Sequence, residues 1–159
     1  MDELFEQILL ESEALELNVG RVYLLFKELF PEHADFWWRL AIEEENHAAI
    51  IKSGRQYFAP VGKFPREIVC QSLEALKQAN ASILEKIKSI SLDPIDLPKA
   101  FNLALSLEKS AGEIQMHTFM NKVTDTKTEA AFQKLASDCQ EHFQRIVQYM
   151  KANGIPVKP

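Results

Sequence analysis

The sequence predicts an all-α protein, and three observations carry that prediction. Five segments repeat apolar residues at the three- and four-residue spacing of an amphipathic helix. Only five glycines and seven prolines interrupt the 159 residues, and the prolines cluster in a few places. No segment alternates apolar and polar residues over the length of a strand. The length and the 47% of apolar residues suit a single domain over residues 1–159 with a full hydrophobic core.

Turn and capping signals give approximate limits for the five helices. Pro31 marks a break between the first two, since proline starts a helix more readily than it continues one. The stretch KSGRQYFAPVGKFP is rich in glycine and proline and is predicted to be a loop. The stretch SLDPIDLPK supplies aspartates that can cap the fourth helix. The expected helices cover about residues 3–30, 32–53, 66–90, 97–123 and 127–152.

Four of these helices carry polar residues midway along the apolar stripe, and the third carries only an asparagine, Asn80. The polar residues of the four are Glu16, Glu44, His47, Glu108 and His142. An isolated carboxylate in a dry core costs several kcal/mol and favours its protonated form. A shared cation removes this cost, because it neutralises the carboxylates and accepts the imidazole lone pairs. We therefore predict a metal site between these four helices.

The second helix supplies two of these candidate ligands within the stretch AIEEENHAAI. Glu44 and His47 are three residues apart, so they lie on one helix face and can bind the same ion. The helical period turns Glu43 and Glu45 away from the core. Ligands of mixed carboxylate and imidazole type suit iron, manganese or zinc. Small residues, such as Gly20 one turn from Glu16, leave room near the ligands.

The last helix supplies His142, with two weaker candidate ligands before it. Cys139 lies three residues earlier, and a nearby cation lowers the pKa of a thiol, so a thiolate ligand is conceivable there. Cysteine is also often buried simply as a small residue, and that alternative stays open. Asp138 lies four residues before His142 and is the other weaker candidate.

Simpler interpretations of the same residues also stay open. The EEE run is typical of a solvated helix face, and Glu16 follows an acidic stretch. Glu108 has Lys109 beside it for an intrahelical pair. His142 fits a core histidine that is hydrogen-bonded to a neighbour. His33 and His117 have no matching partner and are predicted to be surface residues.

The ordered set of ligands resembles the ferritin-like diiron carboxylate proteins, and within them the rubrerythrin-related branch. The segments that carry the resemblance are EALELNVGRVYLLF, with Tyr23 seven residues after Glu16, then AIEEENHAAII, ALSLEKSAGEIQMH and FQKLASDCQEHFQRI. They lie within residues 3–53 and 97–152. The resemblance implies a ferritin-like four-helix bundle, with the helix at 66–90 added in the long crossover between the two helix pairs.

The resemblance also implies a function. Two irons would be held by Glu16, Glu44, His47, Glu108 and His142. The implied activity is that of a peroxidase or ferroxidase acting on peroxide or dioxygen. No catalytic residue is assigned. The alternative is a degenerate bundle that serves as a structural or protein-interaction module.

The chain departs from the family in three places. Cys139 replaces a glutamate that bridges the irons in the family, which leaves Glu44 as the one family-like bridging carboxylate. Ala111 replaces the extra carboxylate that rubrerythrins carry three residues after Glu108. Cys70 and Cys139 are the only cysteines, so the chain lacks a rubredoxin-like module and the activity would need an external electron donor.

Charge and hydropathy bear on partners and location. A net charge of −5 and a pI near 5.4 do not suit a nucleic-acid partner. No apolar run approaches the roughly 20 residues that span a bilayer, and the acidic N-terminus differs from a signal peptide, so we expect a cytoplasmic protein without a membrane partner. Trp37 and Trp38 point to different sides of a helix, and the third helix has a long apolar seam. Either feature could support a homodimer, the state that the resemblance also implies.

Overall fold

Helices are the only regular structure in the parts of the chain that the computed structural model describes, residues 2–109 and 127–158, without the side chains of residues 128, 129, 131 and 134–141. The helices are α1 (Glu3–Leu29), α2 (Ala34–Ser53), α3 (Leu73–Leu92), α4 (Leu97–Glu108) and α5 (Lys127–Ala152). The predicted all-α class is confirmed. No helix within these ranges is both long enough and apolar enough to cross a membrane. The prediction that the fourth helix continues to residue 123 falls on residues 110–126, outside the described ranges.

The helix ends follow their capping chemistry. The Asp2 carboxylate accepts from the Phe5 amide at 2.7 Å and caps α1. The predicted break at Pro31 is a single 3₁₀ turn, Pro31–His33, after which α2 begins at Ala34 rather than at residue 32. Proline supplies the first position of this turn because its missing N–H would have no partner there.

Two predicted limits in the long connection need correction. The segment after Ser53, predicted to be a loop, first continues α2 as one π-helical turn, Gly54–Phe58. The crossover helix begins at Leu73 and not near residue 66, because the Ser72 hydroxyl caps it by accepting from the Ala75 amide at 3.2 Å. Arg66–Ile68 form a separate 3₁₀ turn.

The helix directions explain why this connection is long. α1 and α2 are antiparallel neighbours, and so are α4 and α5, where Phe101 stacks on Tyr149 and Glu108 lies beside His142. α2 and α4 run in the same direction, since Trp37 contacts Phe101 at one level and Glu44 and Glu108 both face His142 at another. Two parallel helices cannot be joined by a tight turn, so the chain between them crosses the molecule and contains α3.

α3 packs against α1, on the side away from the other helices. The apolar seam of α3 is buried in this contact. Leu76, Ile83 and Ile90 are buried in the common core. Asn80, also buried, accepts from the Asn18 amide at 2.9 Å and donates to the Glu11 carbonyl at 2.9 Å. The Asn80 side chain thus has partners for its polar atoms, and it fixes the position of α3 along α1.

Aromatic residues fill one end of the core. Trp37 is fully buried between Tyr23, Phe26 and Phe101. Trp38 is 49% exposed, which confirms that the two adjacent tryptophans face different sides of α2.

Candidate metal centre

The five residues predicted to face inward are all buried and lie together in the middle of the molecule. Their exposed fractions are 9% for Glu16, 2% for Glu44, 3% for His47, 5% for Glu108 and 0% for His142. A solvated helix face is therefore the wrong interpretation for Glu44 and His47. They converge because each lies about midway along the apolar stripe of its helix, so the packed helices bring them to the same level.

Glu44 stands at the centre of the cluster, between the two histidines. Its Oε2 lies 3.1 Å from Nδ1 of His47, one turn along the same helix. Its Oε1 lies 3.1 Å from Nδ1 of His142, on α5. Each carboxylate oxygen thus faces a different imidazole, and both imidazoles present the same ring nitrogen to the centre.

A second carboxylate lies beside each histidine. Oε2 of Glu16 is 3.6 Å from Nδ1 of His47, and Oε2 of Glu108 is 3.6 Å from Nδ1 of His142. The two imidazoles stack with their centroids 5.2 Å apart and their planes at 28°. The cluster is therefore two half-sites of the same composition, each with one histidine and one glutamate of its own, and they share Glu44.

Gly20 allows α1 and α2 to approach each other at the level of the cluster. A β-carbon at this position would lie 3.3 Å from the β-carbon of Glu44 and 3.4 Å from the carbonyl oxygen of Ala41. Ser12, one turn before Glu16, is buried and donates to the Ile8 carbonyl at 2.8 Å within its own helix. Ala111 and Gly112, small residues that follow Glu108 closely in the sequence, lie outside the described residues.

Tyr23 orients one of the outer carboxylates. Its buried hydroxyl donates a short hydrogen bond to Oε1 of Glu108, which leaves Oε2 facing His142. The resemblance singled out Tyr23 by its position seven residues after Glu16, but no interaction with Glu108 was predicted from it.

Glu43 takes part in the cluster although the sequence placed it away from the core. Its Oε2 lies 2.6 Å from Nε2 of His142, although the contact lacks the geometry of a hydrogen bond, so Nε2 has no such partner within the described ranges. Both Glu43 oxygens also accept from the Arg145 guanidinium. Helical period alone did not predict the contact between Glu43 and His142. A glutamate at the edge of the apolar stripe has a side chain long enough to reach the core. The basic residue one turn after His142 was the available signal.

The charges of the cluster shift the pKa values of its members. Burial alone would lower the pKa of His142, but the carboxylates of Glu108, Glu43 and Glu44 outweigh it and raise that pKa to about 12. Burial would raise the pKa of Glu43, but His142 and Arg145 lower it to about 2. His142 and His47 likewise hold the pKa of Glu44 below its ordinary value despite complete burial.

Glu16 behaves in the opposite way. Burial, reinforced by the charge of Glu44 and opposed by His47, raises the pKa of Glu16 to about 7. Without a metal the cluster therefore holds protons at neutral pH in place of a cation, on His142 and in part on Glu16. A divalent ion would have to displace them.

The spacing of the donor atoms fits a metal ion. Ligand atoms about 2.0–2.2 Å from a metal lie about 3.0–3.4 Å apart when they subtend about 90–110° at it. The contacts of Glu44 with His47 and His142 fall in this range, and these three residues form a buried group that could hold a metal ion. The carboxylates of Glu16 and Glu108 lie 3.6 Å from the histidine nitrogens, and a small inward rotation of each side chain would bring its oxygen into the same range.

The other candidate residues have different outcomes. The side chains of Cys139 and Asp138 lie outside the described residues, so their role as weaker ligands stays a prediction. Cys70 is a buried free cysteine just before α3, and its thiol donates to the Ser72 carbonyl at 3.9 Å. His33 was predicted to be a surface residue without a partner. Its ring is partly exposed, but its Nδ1 lies 2.9 Å from the Tyr149 hydroxyl, so the prediction that it has no partner is wrong. His117 lies outside the described residues.

Comparisons with family models, with curated proteins and with solved structures gave no match for this chain.

Proposed function

We propose that the chain is a ferritin-like protein that binds two metal ions, iron foremost, between Glu16, Glu44, His47, Glu108 and His142. The order of the ligands along the chain is similar to that of the rubrerythrin-related branch. The activity we infer is that of a peroxidase or ferroxidase that reacts with peroxide or dioxygen and takes its electrons from an external donor.

The arrangement of helices supports the ferritin-like part of the proposal. α1 and α2 form one antiparallel pair and α4 and α5 another, with α2 and α4 parallel and joined by one long crossover. Ferritin-like bundles have one such crossover, and their ligands project inward from all four helices. Here α3 occupies the crossover and packs outside the four, on α1.

A single observation carries the metal-binding part: the two oxygens of Glu44 each face a different histidine at 3.1 Å, and each histidine has a further glutamate beside it. A shared carboxylate between two equal donor sets suits two neighbouring cations. One cation would take His47 and Glu16, the other His142 and Glu108. Oxygen and imidazole donors favour iron, manganese or zinc over softer metals.

The residues around the ligands would perform the supporting chemistry. Bound iron supplies redox chemistry and open coordination positions. Tyr23 holds Glu108 in place, and Glu43 with Arg145 faces the far nitrogen of His142, as outer carboxylates commonly do for histidine ligands. The buried walls keep water away from the reacting atoms.

The test is metal analysis of protein purified under reducing conditions and loaded with ferrous iron without oxygen. We expect about two irons per chain, as in ferritin-like diiron proteins, and loss of at least one in Glu44→Gln. Gln keeps the volume of the side chain and removes the shared charge. The matched control is Glu45→Gln, one residue along the helix and exposed, which should bind as the unchanged protein does.

No bound iron after both anaerobic and aerobic loading would refute the proposal. Binding of zinc alone, at about one ion per chain, would instead indicate a half-site without redox chemistry.

A second candidate function is a structural or interaction module built on the same bundle. It is favoured by the mutual contacts of the cluster, since each oxygen of Glu44 has an imidazole partner that can offset the cost of burying the carboxylate. In that case Glu44→Gln would lower the free energy of unfolding. Loading with metal would change neither the stability of the protein nor its absorption spectrum.

A further inference from the structure

A continuous line of aromatic rings leads from the cluster toward one end of the bundle. It begins at Tyr23, whose hydroxyl donates to Glu108. The Tyr23 ring stacks on Trp37 with 5.8 Å between centroids and 24° between planes. Trp37 is fully buried, so this first step lies inside the core.

The second half of the line reaches the surface through two phenylalanines. Trp37 lies 5.3 Å from Phe36 and 4.3 Å from Phe101, centroid to centroid. Both of these rings stack on Tyr149, at 3.9 Å and 5.6 Å. Tyr149 lines an open cleft of about 480 Å³ together with Phe36 and His33.

The residues of this line differ in how they can lose an electron. Tyrosine and tryptophan are the readily oxidised aromatic side chains, whereas phenylalanine can only separate them. An oxidised tyrosine gives up its phenolic proton, and both tyrosines have an acceptor: Glu108 for Tyr23, and Nδ1 of His33, at 2.9 Å, for Tyr149. The indole nitrogen of Trp37 is buried without a hydrogen-bond partner among the described residues, so its electron would leave while its proton stays.

We propose that Tyr23, Trp37 and Tyr149 form a single-electron relay between the cleft at His33 and the metal centre. This inference rests on the proposed function, because the centre is the electron acceptor. The occupant of the cleft is a one-electron reductant, the external donor that such a centre needs.

The transfer balances in electrons and protons. Tyr23 gives one electron to the oxidised centre and its proton to Glu108. Trp37 returns an electron to Tyr23, which recovers its proton from Glu108. Tyr149 then reduces the Trp37 radical cation and passes its proton to His33. The external reductant restores Tyr149, which takes the proton back from His33, so that one electron crosses in total.

Packing alone would explain buried rings, and the experiment must distinguish the two roles. The chain offers matched controls, because it has three tyrosines and two tryptophans, and Tyr57 and Trp38 lie off the line and are exposed. Replacement by Phe keeps an aromatic ring at each position and removes only the ability to lose an electron easily.

The test starts the relay from the surface in metal-free protein. A ruthenium polypyridyl sensitiser is attached to Glu32→Cys, which lines the cleft, with Cys70→Ser and Cys139→Ser in the background. Illumination with an electron acceptor oxidises the sensitiser, and electron paramagnetic resonance of frozen samples detects the protein radicals. The Tyr23 signal is the one that disappears in Tyr23→Phe.

We expect the Tyr23 signal in the parent protein and its loss in both Trp37→Phe and Tyr149→Phe, while Tyr57→Phe and Trp38→Phe keep it. If Trp37→Phe fails to fold, the half-buried Tyr149→Phe decides alone. A Tyr23 signal that is absent from the parent, or that persists in both variants, overturns the relay. Iron stoichiometry measured on the unlabelled protein with its own cysteines reports the proposed function separately, because the photochemical experiment needs no metal.

Discussion

Glu44 is the residue on which the proposed centre depends, because among the side chains that the structure describes it alone contacts both histidines through separate oxygens. Its burial would be costly in an apolar core, and the histidines compensate for it. The same contacts raise the pKa of His142 and lower that of Glu44, so the cluster holds a proton where we propose a metal. Metal binding is therefore a competition with protons.

This competition predicts a pH dependence with two slopes. With its pKa raised to about 12, His142 carries a proton throughout the neutral range, so metal binding must release it and affinity should rise about tenfold per pH unit. Glu16, with its pKa raised to about 7, adds a second released proton below neutrality, where the rise should steepen to about a hundredfold per unit. Zinc competition against a coloured chelator between about pH 6 and about pH 8 measures both slopes.

The variant Glu16→Gln separates the two contributions. It should remove the steeper part below neutrality and leave the shallower rise that belongs to His142. An affinity that is the same across the whole range would contradict the proton displacement that we infer.

Among the helices, the contact between α1 and α2 positions the ligands most directly, and Gly20 sets how close they come. Gly20→Ala gains about 1 kcal/mol of helix propensity. It also introduces a β-carbon 3.3 Å from that of Glu44, tight enough to displace α2 slightly. Overpacking of a core typically costs about 1–3 kcal/mol, so the net effect should be a loss of stability of at most about 2 kcal/mol.

Gly20→Ala should also lower metal affinity. Because a few tenths of an ångström at Glu44 disturbs both half-sites, we expect zinc affinity to fall about tenfold, the lower end of what misplaced ligands cost. Urea unfolding gives the stability change of the same variant. The control is Ser12→Ala, whose hydroxyl bonds only within α1, and unchanged zinc affinity in Gly20→Ala would show that the approach of α2 does not govern the site.

The inward ligands could be predicted from the sequence because helical period alone assigns a residue to a face. Glu44 and His47 fall on an apolar stripe, and so do Glu16, Glu108 and His142, and each is buried as expected. Helix starts were less predictable, since the start of α3 depends on whether Ser72 or an earlier residue provides the cap.

Individual side-chain contacts between helices could not be predicted from the sequence. The reach of Glu43 to His142, the Tyr23–Glu108 hydrogen bond and the His33–Tyr149 pair all join residues far apart in the chain. Period gives the face of a residue but not the rotation and height at which two helices meet. The packing of the helices determines this rotation and height, and both are therefore known only from the structure.

Across the whole molecule, the cluster joins the two helix pairs. Glu16, Glu44 and His47 come from the α1–α2 pair, whereas Glu108 and His142 come from the α4–α5 pair. A bound metal would therefore add a further link between two helix pairs that already share the aromatic core around Trp37 and Phe101. α3 is not involved, because its buried face is occupied by α1.

The outer side of the α1–α2 pair has exposed apolar side chains among the residues that the structure describes. Leu10, Leu17 and Leu24 on α1 are 44%, 37% and 37% exposed, and Trp38 on α2 is 49% exposed. The three leucines are spaced seven residues apart, so they share one face of α1. The apolar seam of α3, the other surface considered for a dimer, is buried within the chain at Leu76, Ile83 and Ile90.

We propose that this surface forms a homodimer, because a two-fold arrangement would pair its leucines with those of a second copy. If a second copy lays its α1 antiparallel on the first, Leu17 meets Leu17 at the two-fold axis and Leu10 meets Leu24 on either side. Leu17→Glu would place two like charges at the axis and should convert the dimer to monomer in sedimentation velocity, with helix content and iron stoichiometry unchanged. Leu84→Glu, at an exposed leucine of α3, is the matched control and should remain dimeric. Dissociation in Leu84→Glu but not in Leu17→Glu would move the interface to α3, and a monomeric parent protein would refute the dimer.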